Sequence, residues 1–198
     1  MIRDFHLADF FTLANAASGM ASLFAALAYV ATQQRSEFLW AAALLPVALV
    51  FDVLDGRIAR WRQRHSVLGR ELDSLADIIS FGVAPAALAF AAGMTGVWDR
   101  VVLIYFVACG VSRLARFNVT AEQLSQGNDK VKFFEGTPIP TSVLLVLILG
   151  WAGLHDRLGD HLWGGAVGFG GGSLHPLVAM FAVSGSLMIS KTIRIPKL

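Results

Sequence analysis

Apolar residues in this chain neither alternate nor form narrow stripes; they run in long blocks separated by short polar stretches. A helix that crosses a hydrocarbon layer roughly 30 Å thick needs about 20 mostly apolar residues, and six blocks approach that length. The first runs from Phe10 to Ala31 without a charge. The second begins near Phe38, stays apolar to Phe51 and continues into a charged stretch ending near Trp61. The third runs from about Arg70 through Ser80, Phe81 and Gly82 to about Ala92, and the fourth from Val97 to Phe117. The fifth spans Pro138 to Leu154 and the sixth Leu174 to Thr192. The pattern predicts an all-α integral membrane protein, a bundle of six transmembrane helices. A short interfacial helix is expected over residues 1–9, where Phe5, Leu7 and Phe10 can lie against lipid headgroups.

Composition agrees. Of 198 residues, 56% are hydrophobic and 15% charged, with a mean hydropathy of +0.62, whereas soluble domains carry about 25% charged residues. Six crossings place both termini and the connections after the second and fourth helices on one side. That side carries Arg3, Arg57, Arg60, Arg62, Arg64, Arg70, Arg113, Arg116, Lys130, Lys132, Lys191, Arg194 and Lys197; the other carries Arg35, Arg100 and Arg157. Basic residues concentrate on cytoplasmic loops, so both termini are expected in the cytoplasm and the chain in the inner (cytoplasmic) membrane. The same asymmetry accounts for the pI near 9.0 without invoking nucleic acid. The tryptophans, Trp40, Trp61, Trp98, Trp151 and Trp163, fall near predicted helix ends, as interfacial anchors do. The first block reads as a retained helix rather than a cleavable signal, because the residues before it mix both charge signs. The connection Asn118 to Thr137 is polar. The glycine-rich run Gly164 to Gly172 lacks the Lys-Ser/Thr of a phosphate loop and reads as a flexible linker on the opposite face. Residues 1–198 form one membrane domain by this reading, and Cys109, the single cysteine, reads as a small buried apolar residue.

Asp52, Asp55, Asp73 and Asp77 sit at or just inside the ends of predicted spans. A carboxylate at membrane depth is costly and is a functional-site hypothesis by default. Asp52 and Asp55 are three residues apart and Asp73 and Asp77 four, so each pair projects from one helical face. The short link from Trp61 to Gly69 makes the two helices antiparallel neighbours, and the four acids then converge near the cytoplasmic surface. Like charges so close need a cation, and hard oxygen ligands suit Mg²⁺, Mn²⁺ or Ca²⁺. Small residues, Gly56 and Ala59, lie beside them, and Arg60 offers a fork for phosphate oxygens. The plain alternative, acids at helix ends paired with arginines, suits one such residue far better than four at these spacings.

Asp52-x-x-Asp55-Gly56-x-x-Ala59-Arg60, eight further residues, then Gly69-x-x-x-Asp73-x-x-x-Asp77 resembles the signature of the CDP-alcohol phosphotransferase family. The stretch Leu72-Asp73-Ser74-Leu75-Ala76-Asp77-x-x-Ser80-Phe81-Gly82-x-Ala84-Pro85 is similar to its phosphatidylserine synthase branch, as are Arg113-Leu114-Ala115-Arg116-Phe117-Asn118, Phe134-Glu135-Gly136-x-Pro138-x-Pro140, and Asn15 and Gly19 in the first helix. One departure is Thr137, where many members of that branch carry leucine. The resemblance implies transfer of the phosphatidyl group of CDP-diacylglycerol to the hydroxyl of L-serine, releasing CMP, among membrane lipids and as a homodimer. It implies one or two Mg²⁺ or Mn²⁺ ions on Asp52, Asp55, Asp73 and Asp77, with Asp77 also the general base. Asn15, Gly56, Ala59, Arg60 and Gly69 would then receive the nucleotide and CDP-lipid. A zwitterionic acceptor needs a cation for its carboxylate. That assigns Arg113, Arg116 and Asn118 to the acceptor, with Pro138 shaping the start of the fifth helix beside them.

Two other readings stay open at this level. A relative using glycerol 3-phosphate, inositol phosphate or another alcohol would want a denser basic pocket than Arg113 and Arg116 offer. A divalent-cation transporter would also carry inward-facing acids, but nearer the midplane.

Overall fold

A computed structural model describes residues 7–61, 67–126, 133–192 and 194–196. Most of the expected interfacial segment therefore lies outside the described residues, as do Arg3, His6, Arg62, Arg64, His65, Lys130, Lys132 and Lys197. The chain is almost entirely helical. Helix α1 covers Leu7–Thr32 and α2 covers Arg35–Trp61. The third span is built from α3 (Val67–Asp77), a π-helical segment (Ile78–Val83) and α4 (Ala84–Ala91). Helix α5 runs from Val97 to Gln126. The remainder comprises strand β1 (Phe133–Glu135), α6 (Val143–Leu154), β2 (Val167–Phe169), β3 (Gly172–Leu174), α7 (Ala179–Ile189) and β4 (Arg194–Pro196).

Four helical stretches are long and apolar enough to cross a membrane: Leu7–Thr32, Arg35–Trp61, Leu68–Ala91 and Val97–Thr120. These match the first four predicted spans, and with them the chain is a multi-pass membrane protein. The last two predicted spans are apolar but shorter, Ile139–Leu154 and Pro176–Ile189. Each opens in a 3₁₀ turn, Ile139–Ser142 and Pro176–Val178, because proline at the helix start denies the backbone donor that a longer α-helix would need. Two further expectations are corrected. Helix α5 does not end at Phe117 but continues to Gln126, since no glycine or proline interrupts residues 118–126. Its extension occupies the first part of what reads as a polar connection. The glycine-rich run is not a linker: β2 and β3 pair antiparallel, Phe169 opposite Gly172. Gly170 and Gly171 take φ of 53° and 81° at the turn, the left-handed pair that a two-residue hairpin favours. Strands β1 and β4 also pair antiparallel, Phe134 opposite Ile195, tying the segment before α6 to the C-terminal end of α7.

Helix α1 packs most extensively on α2 and also covers α3, the π segment and α4; α5 packs on α7, and α2 on α6. The core between them is apolar, with Phe38, Leu45, Phe81, Leu88, Phe106, Leu149 and Phe181 fully buried. Phe106 meets Phe181 edge to face at 5.2 Å between ring centroids. The outside is apolar too: Phe24, Leu27, Trp40, Ile104, Leu144, Trp151 and Val183 are exposed, as expected of side chains whose solvent is hydrocarbon.

One close approach sets the position of the third span. Gly19 of α1 lies against the π segment, where an added Cβ would stand 2.8 Å from Ser80 Cα and closer still to Ser80 Oγ. Ser80 Oγ in turn donates to the main-chain oxygen of Asn15 at 2.9 Å. Gly19→Ala should therefore push α1 off the π segment and destabilise the protein by about 1–3 kcal/mol. This is readable as a lowered thermal midpoint in detergent; an unchanged midpoint would mean that the α1–π contact is looser than described.

On the face away from the four acids, Asp99 in the first turn of α5 is fully buried. It accepts from the Gly96 amide at 2.9 Å, from the His175 amide at 2.8 Å, and contacts His175 Nδ1 at 2.6 Å. This clasp holds the end of the β2–β3 hairpin to the start of α5.

Candidate active site

Three of the four carboxylates come together, and the fourth, Asp77, lies beside them. Helix α2 delivers Asp52 and Asp55 near its C-terminal end, and α3 delivers Asp73 and Asp77. One oxygen from each of Asp52, Asp55 and Asp73 lies within 4.8 Å of the others. Asp77 lies outside that trio, near enough to Asp52 and Asp73 for their charges to interact. Asp55 and Asp77 are buried; Asp52 and Asp73 are half-buried. The π-helical turn begins immediately after Asp77. Such turns displace one helical register from the next and are frequent at functional sites.

Helix α1 closes the cluster from the third side. Asn15, fully buried, donates Nδ2 to Asp77 Oδ1 at 3.3 Å. Thr12 donates Oγ1 to Asp55 Oδ2 at 2.7 Å, and buried Asp9 adds a further negative charge beside Asp55. Thr12 and Asp9 are not among the residues the sequence singles out. Their signal is the recurrence of buried polar residues along α1, Asp9, Thr12, Asn15, Ser18 and Ser22, at the three- and four-residue spacing of one helical face.

The donor set fits a hard divalent cation. Oxygens around one Mg²⁺ at about 2.1 Å stand up to about 4.2 Å apart, so the Asp52, Asp55 and Asp73 oxygens are close to the required separation. Asp73 Oδ1 is buried without a hydrogen-bond partner, an open ligand position. Among the described residues, the recorded ion pairs are Arg35–Asp156 and His175–Asp99, and neither involves these four acids.

The other sequence-predicted residues fall into two groups. Gly56 and Ala59 are half-buried on α2 and Arg60 is exposed; a Cβ on Gly56 would stand 3.9 Å from the Arg60 guanidinium, which thus lies over the glycine. Gly69 is half-buried in the first turns of α3. Arg113 is half-buried on α5, near enough to Asp77 for their charges to interact, and its Nε is buried without a partner. Arg116 reaches the other way, donating to the main-chain oxygen of Ile189 at 3.4 Å, where a cation suits the carboxyl end of α7. Asn118 bonds α3 rather than standing free, with Ser74 and Glu71 as its partners. Pro138 is exposed just before the 3₁₀ turn that leads into α6.

Residues 5–184 match a protein family described as CDP-alcohol phosphatidyltransferase. A CDP-diacylglycerol–serine O-phosphatidyltransferase of Saccharomyces cerevisiae is 42% identical over 202 aligned positions, covering 100% of this chain and 72% of that protein. One of the same description from Helicobacter pylori is 39% identical over 71% of this chain and 55% of the relative. An archaetidylserine synthase of Methanothermobacter thermautotrophicus is 34% identical over 77% of this chain and 60% of that protein. The mycobacterial relatives are matched over 43% of their length or less, as in Mycobacterium bovis and Mycobacterium leprae, so the chain spans only part of several of the proteins it resembles.

Proposed function

This chain belongs to the CDP-alcohol phosphatidyltransferase family, and on that premise we propose that it transfers the phosphatidyl group of CDP-diacylglycerol to the hydroxyl of L-serine, forming phosphatidylserine and releasing CMP. The observation that carries the reading is the convergence of Asp52 and Asp55 of α2 with Asp73 of α3, beside Asp77, one oxygen of which is fixed by Asn15.

The reaction makes a bond from the serine oxygen to the diacylglycerol-bearing phosphorus and breaks the bond from that phosphorus to the oxygen of CMP. A serine hydroxyl attacks slowly unless a positioned base takes its proton. Asp77 is that base: Asn15 holds Oδ1, which leaves Oδ2 to receive the proton as the new bond forms. Asp52, Asp55, Asp73 and Asp77 would hold one or two Mg²⁺ or Mn²⁺ ions, which when bound would neutralise charge on the transferring phosphoryl group and on departing CMP. Arg60 lies over Gly56, where a phosphate can approach the α2 backbone unobstructed by a side chain. Ala59 and Gly69 keep the walls low for the nucleotide. Arg113, its Nε lacking any partner, takes the acceptor's carboxylate.

In this reading α6 and α7 with their 3₁₀ turns complete a six-crossing bundle, and residues 1–198 act as one domain. Both termini and the aspartates face the cytoplasm across the inner membrane, and two copies associate as a homodimer. The test is CMP release by the purified chain in liposomes containing CDP-diacylglycerol, with Mn²⁺ or Mg²⁺ and a panel of acceptors. Serine should support release. Release with glycerol 3-phosphate or inositol phosphate but not with serine would reassign the acceptor.

A further inference from the structure

Of the three acids whose oxygens converge, Asp52, Asp55 and Asp73, only Asp55 is buried. A carboxylate among like charges tends to turn away from them, yet a metal ligand must keep one oxygen aimed at the shared point. The group that holds Asp55 comes from another helix. Thr12 of α1, itself 3% exposed, donates Oγ1 to Asp55 Oδ2 at 2.7 Å. A second acceptor is in reach, Ala8 O one turn back at 3.2 Å. A hydroxyl has one hydrogen, so the two compete. The contact to Asp55 is the shorter, at a length typical of O–H···O⁻ bonds, which are roughly twice as strong as neutral ones. The hydrogen therefore points at Asp55.

Thr12 is itself held in place. Asn15, one turn along the same face, donates to Asp77, and its main-chain oxygen accepts from Ser80 Oγ at 2.9 Å. Gly19 lets α1 close on the π segment. Asp9, one turn the other way, sets a further negative charge beside Asp55, and the charges of Asp52 and Asp73 also interact with it. With its donor anchored, Asp55 cannot rotate its carboxylate away from these charges without breaking a buried hydrogen bond.

We propose that Thr12 is a positioning residue of the metal centre: its hydroxyl holds Asp55 in the ligating orientation before an ion binds, and so raises the affinity for that ion. This rests on the divalent-metal reading above and is independent of which alcohol accepts. The rival is a bond that merely ties α1 to α2, as interhelical hydrogen bonds do in membrane proteins. Such a tie stabilises the folded chain and leaves its affinity for an ion unchanged.

Thr12→Val keeps the shape and removes the hydroxyl, Thr12→Ala removes it with a smaller side chain, and Thr12→Ser keeps it. Mn²⁺ binding to the purified chain in detergent, without substrates, is followed by electron paramagnetic resonance. Thr12→Val and Thr12→Ala should each raise the Kd for Mn²⁺ about 10- to 100-fold, the usual effect of losing a hydrogen-bonded partner behind a ligand. Thr12→Ser should keep it close to that of the unaltered chain. The Mn²⁺ concentration for half-maximal CMP release should move by the same factor, with the KM for serine held. An unchanged Kd in the first two variants overturns the proposal and leaves Thr12 as a tie between helices, whatever the metal-free thermal midpoint does. So does a Kd raised as much by Thr12→Ser as by Thr12→Val, since the hydroxyl would then not be the cause. Either result leaves the metal reading standing if the unaltered chain binds Mn²⁺. If the unaltered chain binds none, that reading fails and this one with it.

Discussion

Asp77→Asn should lower CMP release by about 10²–10⁴-fold, the contribution of a positioned general base, while leaving the protein folded. The carboxamide is nearly the same shape, and its oxygen can still accept from Asn15 Nδ2, which now reaches Asp77 Oδ1 at 3.3 Å. It also removes one of four like charges packed at one point, so the thermal midpoint in metal-free detergent should hold or rise. The complication is that Asp77 also faces the metal cluster. Geometry separates the roles: Asp52, Asp55 and Asp73 bring oxygens within 4.8 Å of one another without Asp77. Mn²⁺ affinity, followed by calorimetry or electron paramagnetic resonance, should therefore fall much less for Asp77→Asn than for Asp73→Asn, although turnover collapses in both. Activity within tenfold of the unaltered chain would remove Asp77 from the base role. Loss of turnover strictly in proportion to lost metal would make it a ligand only.

The aspartate cluster was legible in the sequence because its information is local. Three- and four-residue spacings fix which helical face an acid occupies, and few residues separate the two helices in sequence. Thr12 is just as close to the chemistry, yet a threonine in an apolar helix ordinarily satisfies itself on the carbonyl four residues back. Thr12 does reach Ala8 O at 3.2 Å, but it also donates to Asp55 across 43 positions of sequence, and nothing local announces the second bond. Asn118 illustrates the converse. Its neighbourhood in sequence, beside Arg113 and Arg116, points to the acceptor, but the extension of α5 past Phe117 turns it onto Ser74 and Glu71.

The same division runs through the fold. The four long spans follow from length and hydropathy alone. The π-helical segment at Ile78–Val83 has the composition of any apolar helix, and its register is set from outside, by Gly19 and Ser80 meeting across the α1 interface. The β2–β3 hairpin hides in a run whose glycines suit a flexible chain equally well; what orders it is Asp99, some 70 residues earlier in sequence, gripping His175. Helices α6 and α7 show the limit of hydropathy, since an apolar block contains no record of how much of it a proline-led 3₁₀ turn will take.

Removal of divalent cations should abolish CMP release altogether, and Mg²⁺ or Mn²⁺ should restore it. The argument is electrostatic before it is mechanistic. Four carboxylates on two helices, with no lysine or arginine paired to them among the described residues, repel one another between α2 and α3. A bound ion converts that repulsion into a crosslink between the helices. The chelated protein should therefore be less stable as well as inactive: binding at one hundred times Kd stabilises a folded protein by about 2.7 kcal/mol, a clear rise in thermal midpoint. Sodium chloride at matched ionic strength separates ligation from screening. Screening acts on exposed charges over about a Debye length, roughly 10 Å at 0.1 M, and reaches buried Asp55 and Asp77 far less than a coordinated ion does. If sodium chloride raised the midpoint as far as Mn²⁺, the cluster would be a charged surface rather than a ligand set. If the chelated enzyme retained full turnover, the aspartates would have no ion to hold and the proposed mechanism would lose its electrophilic half.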